Sequence, residues 1–345
     1  FAHPMGRRPG SGVRGRALME RFVFFAAITF AVIFGIVTLV DGPDWHFDVD
    51  MDGPGGRAAI VETAPGRFEP QAFAGESLRL RHLAANVTIT PEDRADFLIE
   101  ITSPGGAPMP TVAAEDGRIT IDGQLRGRIS NCGDESVELN GYGDLPNAQM
   151  PQIVIRAPRT LRVSRSGAGP TAIGPADLVD LDATGCGVVN IADVTGALSV
   201  ELAGAGDVIA GAARQLKASV AGSGEVTIGA VTEGAEIEIA GSGTVEVASL
   251  TGDLSVDAAG SGNAVINGGQ INEASIDMAG SGDVTITAPV QTLRADIVGS
   301  GDVDVNGVVG SIDADIAGSG NVSADSVTGT VTKDVLGSGN VRIRG

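Results

Sequence analysis

Residues 280–320 read GSGDVTITAPVQTLRADIVGSGDVDVNGVVGSIDADIAGSG, three Gly-Ser-Gly corners enclosing two segments of one design. After the first corner Val284 and Ile286 alternate with Asp283, Thr285 and Thr287, and further on Leu293, Ala295 and Ile297 alternate with Arg294 and Asp296. The next segment repeats the scheme with Val303, Val305, Ile312, Ala314 and Ile316. An apolar period of two is that of a strand with one buried face, not of a helix. Each segment therefore supplies two strands and a short linking piece around Val290, Val309 or Val327.

Outward from this stretch, a Gly-x-Gly begins at Gly167, Gly185, Gly204, Gly222, Gly241, Gly260, Gly280, Gly299, Gly318 and Gly337, at spacings of 18 to 20 residues. A near-constant period over so many intervals is the mark of stacked repeats. From Gly222 on, the middle residue is Ser, and the corner is followed by Glu225, Thr244, Asn263, Asp283, Asp302, Asn321 and Asn340. Gly, Asn and Asp tolerate the positive φ that a sharp corner needs. No aromatic residue follows Tyr142, so the interior is a thin strip of Val, Ile, Leu and Ala. A single coil buries too little to fold by itself, and parallel stacking closes the deficit. The sequence predicts an all-β fold: a right-handed parallel β-helix, or solenoid, of about 19-residue coils over residues 166–345, its hand taken from the preference of parallel crossovers. Residues 75–165 show strands at 77–83, 86–90, 97–102, 118–122 and 152–156 without the period, read as irregular coils capping the array, with a separate small β-sandwich as the alternative.

Residues 22–40, FVFFAAITFAVIFGIVTLV, carry no charge. As a helix they would span about 28 Å, close to the hydrocarbon thickness of a bilayer. Five Arg and one Glu lie in the 21 residues before them, and an acidic, Gly- and Pro-rich tether is expected over 41–74. The positive-inside rule keeps residues 1–21 cytoplasmic and exports the rest. The expectation is one N-terminal transmembrane signal anchor in the cytoplasmic (inner) membrane, with the bulk of the chain extracytoplasmic; a cleaved signal peptide is the alternative. The formal net charge is −20, and from Gly185 on there are 20 Asp+Glu against 6 Lys+Arg. Such a surface repels phosphates and excludes nucleic acid as a partner.

The reiterated GSGD and GSGN corners resemble the head GIN domain family of auto-transporter adhesin heads, over roughly residues 78–345. Early corners depart from the pattern, reading GAG at Gly167 and Gly204 and GCG at Gly185. The resemblance implies a parallel β-helix on the bacterial cell envelope with an adhesin-like role and no established chemistry.

The residues themselves point away from catalysis. The three His are His3, His46 and His82, none in the regular repeats, and the array lacks the aromatic platforms that sugar subsites use. The expectation is a non-enzymatic structural, scaffolding or adhesin-like protein that binds an envelope polymer or protein and needs no cofactor. The alternative is an envelope polysaccharide-active β-helix lyase or hydrolase, for which paired acids in a groove lined by residues 75–165 would speak. Counting outward positions gives a column of Glu201, Ser219, Glu238, Asp257, Asp277, Asp296, Asp315 and Asp334. Stacked about 4.8 Å apart, these acids repel one another, so divalent cations, Ca²⁺ above all, are candidates to neutralise the stripe. The opposing reading is a solvated acidic face screened by salt. The corner acids Asp207, Glu225, Asp283 and Asp302 share their position with Thr and Asn and are read as turn formers. Cys132 and Cys186 are the two cysteines; in an oxidising compartment a disulfide between them would staple the irregular coils to the first regular ones, the alternative being two separate thiols.

Overall fold

The structure is a computed structural model, and it describes residues 64–126, 129–133 and 135–345. The basic segment 1–21, the apolar run 22–40 and most of the tether lie outside the described residues. Among the described residues no helix is long and apolar enough to cross a membrane.

Each coil contributes a long strand that ends at the Gly-x-Gly corner, a short strand beyond it, and the linking piece. The long strands stack in parallel register, so that Gly167, Gly185, Gly204, Gly222, Gly241, Gly260, Gly280, Gly299, Gly318 and Gly337 form one column. The column selects glycine twice over. At Gly299 φ is +131°, a region that side chains avoid, and an added Cβ would fall 2.1 Å from the Gly280 carbonyl oxygen.

Within the coils three inner walls face one another. Val189, Val208, Val226, Val245, Ala264, Val284, Val303 and Val322 line the short ladder. Leu198, Val200 and Leu202, with their counterparts in each later coil, line the long ladder, and Val194, Val231, Leu250, Ile271, Val290 and Val309 line the link. These are the residues whose period-two pattern predicted burial, and they form one continuous apolar cluster. β-Branched side chains suit such walls, because they pack on a pleated surface with little rotamer loss.

The N-terminal part consists of β1 (Gly66–Ala74), β2 (Ser77–Ala84), β3 (Asn86–Glu92), β4 (Asp96–Ser103), β5 (Thr111–Glu115), β6 (Arg118–Asp122), β7 (Ile129–Cys132), β8 (Ser136–Leu139), β9 (Gly143–Pro146), β10 (Gln152–Pro158), β11 (Thr160–Ala168) and β12 (Thr171–Ile173). Strands β2 and β3 pair in parallel with β11 and β12, so 77–92 is a coil wound like those that follow. The cap is antiparallel: β1 pairs with β4, β4 with β10, and β5 with β6. The tether expected over 41–74 is corrected here, because residues 66–74 form β1. Its Phe68 and Phe73 stack on each other, with ring centroids 6.3 Å apart, and pack against the core. Strands β7, β8 and β9 form a separate antiparallel sheet with a small core of its own around Val137, Leu139, Leu145 and Met150.

Candidate functional site

The predicted acidic column exists as a register column. Glu201, Ser219, Glu238, Asp257, Asp277, Asp296, Asp315 and Asp334 pair in turn on successive rungs. The register adds Asp182, paired with Glu201, which the residue count had not included. Its signal was present: every member stands three residues before the first glycine of its corner, as Asp182 does before Gly185.

Burial, and then the neighbouring acids, hold the Asp182, Glu201 and Asp257 carboxyls above their ordinary range. The protein interrupts the repulsion at one rung. Ser219 donates a 2.8 Å hydrogen bond to Glu238, and Lys217 in the adjacent column lies 3.0 Å from Glu236 and 3.6 Å from Glu238. Burial alone would lower the Lys217 pKa, but these glutamates raise it. Among the described residues no three His, Cys, Asp or Glu side chains converge in a way that would hold a metal ion. In the column itself the acids from Asp182 to Asp315 meet ladder partners on both sides and Asp334 on one, a geometry that repeats pairs.

Cys132 and Cys186 are joined in a disulfide, their Cα atoms 6.1 Å apart. It ties the β7–β9 excursion to a corner of the array, and Cys186 fills the slot that Ser holds in later corners. Closing a loop of 54 residues restricts the unfolded chain and stabilises the fold by about 2–4 kcal/mol. Beside it lies Arg165, set in an inward column between Leu80 and Ala183, with Leu202 and Val220 on the rungs beyond. Arg165 is 4% exposed and donates to the carbonyls of Gly169 and Cys186. Burial pushes its guanidinium down to about 10, still charged at neutral pH.

His82 has φ +51° and faces Asp122, Nδ1 to Oδ1, at 3.4 Å. Arg81 holds the other Asp122 oxygen at 2.9 Å. The His82 pKa is lowered, by burial first and by the neighbouring Arg126 and Arg81 charges, against Asp122, which raises it. Burial alone would raise Asp122, but the Gln124 N–H, Arg81 and His82 together lower it. The pair anchors the root of the excursion, where Leu125 N–H donates to the His82 carbonyl.

A cavity of about 270 Å³ opens on the outer side of the short ladder, between Asp302 and Asp304 on one rung, Asn321 and Ser323 on the next, and Asn340, Arg342 and Arg344 on the last. It lies away from residues 75–165, where a polysaccharide-cleaving groove had been the competing expectation. Arg344, on the last rung, reaches back across two rungs. It donates to Asp325 (3.0 Å), the Val305 carbonyl (3.0 Å) and Asn306 (2.8 Å), and lies 3.5 Å from Asp304.

Of the four corner acids, Asp283 and Asp302 bond from rung to rung rather than within the turn, and none of the four has a positive φ. Asn263 Oδ1 accepts the Asp283 N–H (2.9 Å), Asp283 Oδ1 accepts that of Asp302 (3.0 Å), and Asp302 Oδ1 accepts that of Asn321 (2.8 Å). At these three corners an Asx side chain satisfies the backbone of the next rung, and Asp and Asn serve equally.

Residues 255–345 match the family model described as "Putative auto-transporter adhesin, head GIN domain". This is the stretch in which the Gly-Ser-Gly-Asx corner runs unbroken. No curated protein matches the chain. Among solved structures, a "Putative lipid binding protein" from Parabacteroides distasonis ATCC 8503 is 16% identical over 82% of this chain and 99% of its own, with a TM-score of 0.41. A "putative adhesin" from the same organism is 14% identical over 82% and 98%, with a TM-score of 0.42. Another from Parabacteroides merdae ATCC 43184 is 13% identical over 82% and 96%, with a TM-score of 0.37.

Proposed function

We propose that this chain is a membrane-tethered, extracytoplasmic solenoid that presents its ladder faces to an envelope polymer or protein, in an adhesin-like or scaffolding role rather than an enzymatic one. The anchor is the apolar run 22–40, with residues 1–21 in the cytoplasm, and the coils wind right-handed, as parallel crossovers do. The observation that carries the reading is the ladder surface itself: side chains repeat in register over many rungs, while the buried groups are core aliphatics with few polar exceptions. Repetition at a fixed spacing suits a repeating or extended partner. The Cys132–Cys186 disulfide supports an oxidising compartment. The family description of residues 255–345 supports the adhesin-like role.

The test is retention of envelope components by the full chain, solubilised in detergent and immobilised, against cytoplasmic extract as control. Selective retention of an envelope polymer or protein is expected. Retention of nothing beyond the control level overturns the reading.

A further inference from the structure

The outward side of the short ladder changes character along the array. Earlier rungs carry Ile209, Gly229, Ala248 and Val265 among its outward positions, whereas from the rung of Asp283, Thr285 and Thr287 onward every outward position is polar, and the last three rungs surround the cavity. Much of that polarity is spent internally. Arg344 is committed to Asp304, Asp325 and Asn306. Asp304 Oδ1 accepts from Ser323 as well, and Asp302 Oδ1 takes two donors from Asn321. What remains unspent is specific. The second carboxylate oxygens of Asp302 and Asp304, the Asn340 amide and the whole Arg342 guanidinium have no hydrogen bond or ion pair among the described residues.

We propose that this cavity is a binding subsite for a neutral sugar unit of a glycan. The claim rests on the adhesin-like reading above and names its ligand class. A sugar hydroxyl both donates and accepts, so a vicinal diol can donate to Asp302 or Asp304 while accepting from Arg342 or Asn340. Other ligand classes fit the same walls poorly. Every residue lining the cavity carries a polar or charged group, four of them ionised, so an acyl chain seated there would have to desolvate those groups without giving them a partner. A polyanion would meet two carboxylates beside the free guanidinium. A bare cation would meet Arg342 and Arg344, in a region where no three carboxylates converge. Without an aromatic platform the single site binds weakly, and useful strength comes from many copies engaging one polymer.

The experiment is saturation-transfer NMR on the full chain in detergent micelles, with methyl α-mannoside, methyl β-glucoside and methyl β-galactoside as probes and methyl β-glucuronide and octanoate as contrasts. Arg342→Ala removes a side chain without internal partners, and Asp302→Asn keeps the Oδ1 acceptor of the corner, so both variants fold. At least one neutral glycoside is expected to show transfer, reduced about fivefold or more in both variants and unchanged in Arg294→Ala on the other face. The proposal is overturned if no neutral glycoside shows transfer, if the contrasts bind and the glycosides do not, or if the two variants bind like wild type. Envelope retention by Arg342→Ala separates the two claims. If the variant still captures what wild type captures, the subsite falls and the adhesin-like role stands; if wild type captures nothing, the role falls.

Discussion

Thr171 occupies one place in a wall of valines. Val87 precedes it and Val189 follows it in register, and its hydroxyl is buried without a hydrogen-bond partner. A hydroxyl in that position forfeits water and gains nothing, whereas the valine methyl fills the same volume. Thr171→Val is expected to stabilise the fold by about 1 kcal/mol, read as a higher urea midpoint at unchanged slope. Arg165 is the opposite case, a buried cation whose bonds to two carbonyls are its return for desolvation. Arg165→Ala is expected to cost about 2–4 kcal/mol, through a cavity plus two stranded carbonyls. Arg165→Met, which restores the volume, is expected to recover at least half of that. Equal losses in the two variants would show that charge rather than packing holds the corner.

At the scale of the coil, the corner is the least replaceable element. Gly299→Ala combines a positive φ with a Cβ 2.1 Å from a backbone oxygen, so a cost of roughly 3 kcal/mol or more is expected, with loss of cooperativity in thermal melts. The corner was also what made the fold readable. Glycine spacing set the register, and the period-two pattern set the inward faces, because both effects are local to one coil. What stayed hidden depends on contacts between coils or on partners far apart in sequence. Strand β1 lay inside a Gly- and Pro-rich segment, and only its pairing with β4 defines it. Arg344 engages residues 19 to 40 positions away, which no spacing rule could single out, and the cavity depends on that reach.

The acid ladder, by contrast, was legible almost complete, and its titration is an element-level property. Asp182, Glu201 and Asp257 have raised pKa values, so the folded chain binds their protons more tightly than the unfolded chain does. The stability tied to those protons is fully present below the ordinary carboxylate range and is lost as pH rises through the elevated folded values. Asp122, lowered, and His82, lowered, work the other way as pH falls. The ladder is isolated by difference: Glu201→Gln/Asp257→Asn is expected to be more stable than wild type at pH 7 and to lose that advantage toward pH 4. An advantage independent of pH would mean that the ladder acids are not the titrating groups.

The whole molecule carries −20, most of it along the array, and two ways of relieving that charge make different predictions. Diffuse screening depends on ionic strength alone and acts within a Debye length of about 8–10 Å, which spans roughly two rungs. A specific calcium site would instead respond to calcium concentration. At 100 times its dissociation constant the ion would add about 2.7 kcal/mol, a shift that thermal melting resolves easily. The column repeats pairwise contacts, and calcium selects six to eight oxygens around one centre, so the geometry favours screening. Sodium chloride is expected to raise the melting temperature progressively between about 10 and 200 mM, consistent with surface repulsion. Calcium chloride is expected to do no more at matched ionic strength. A rise confined to calcium, abolished by Asp296→Asn/Asp315→Asn, would show instead that the ladder collects ions at discrete places and that the acidic face is a cation site.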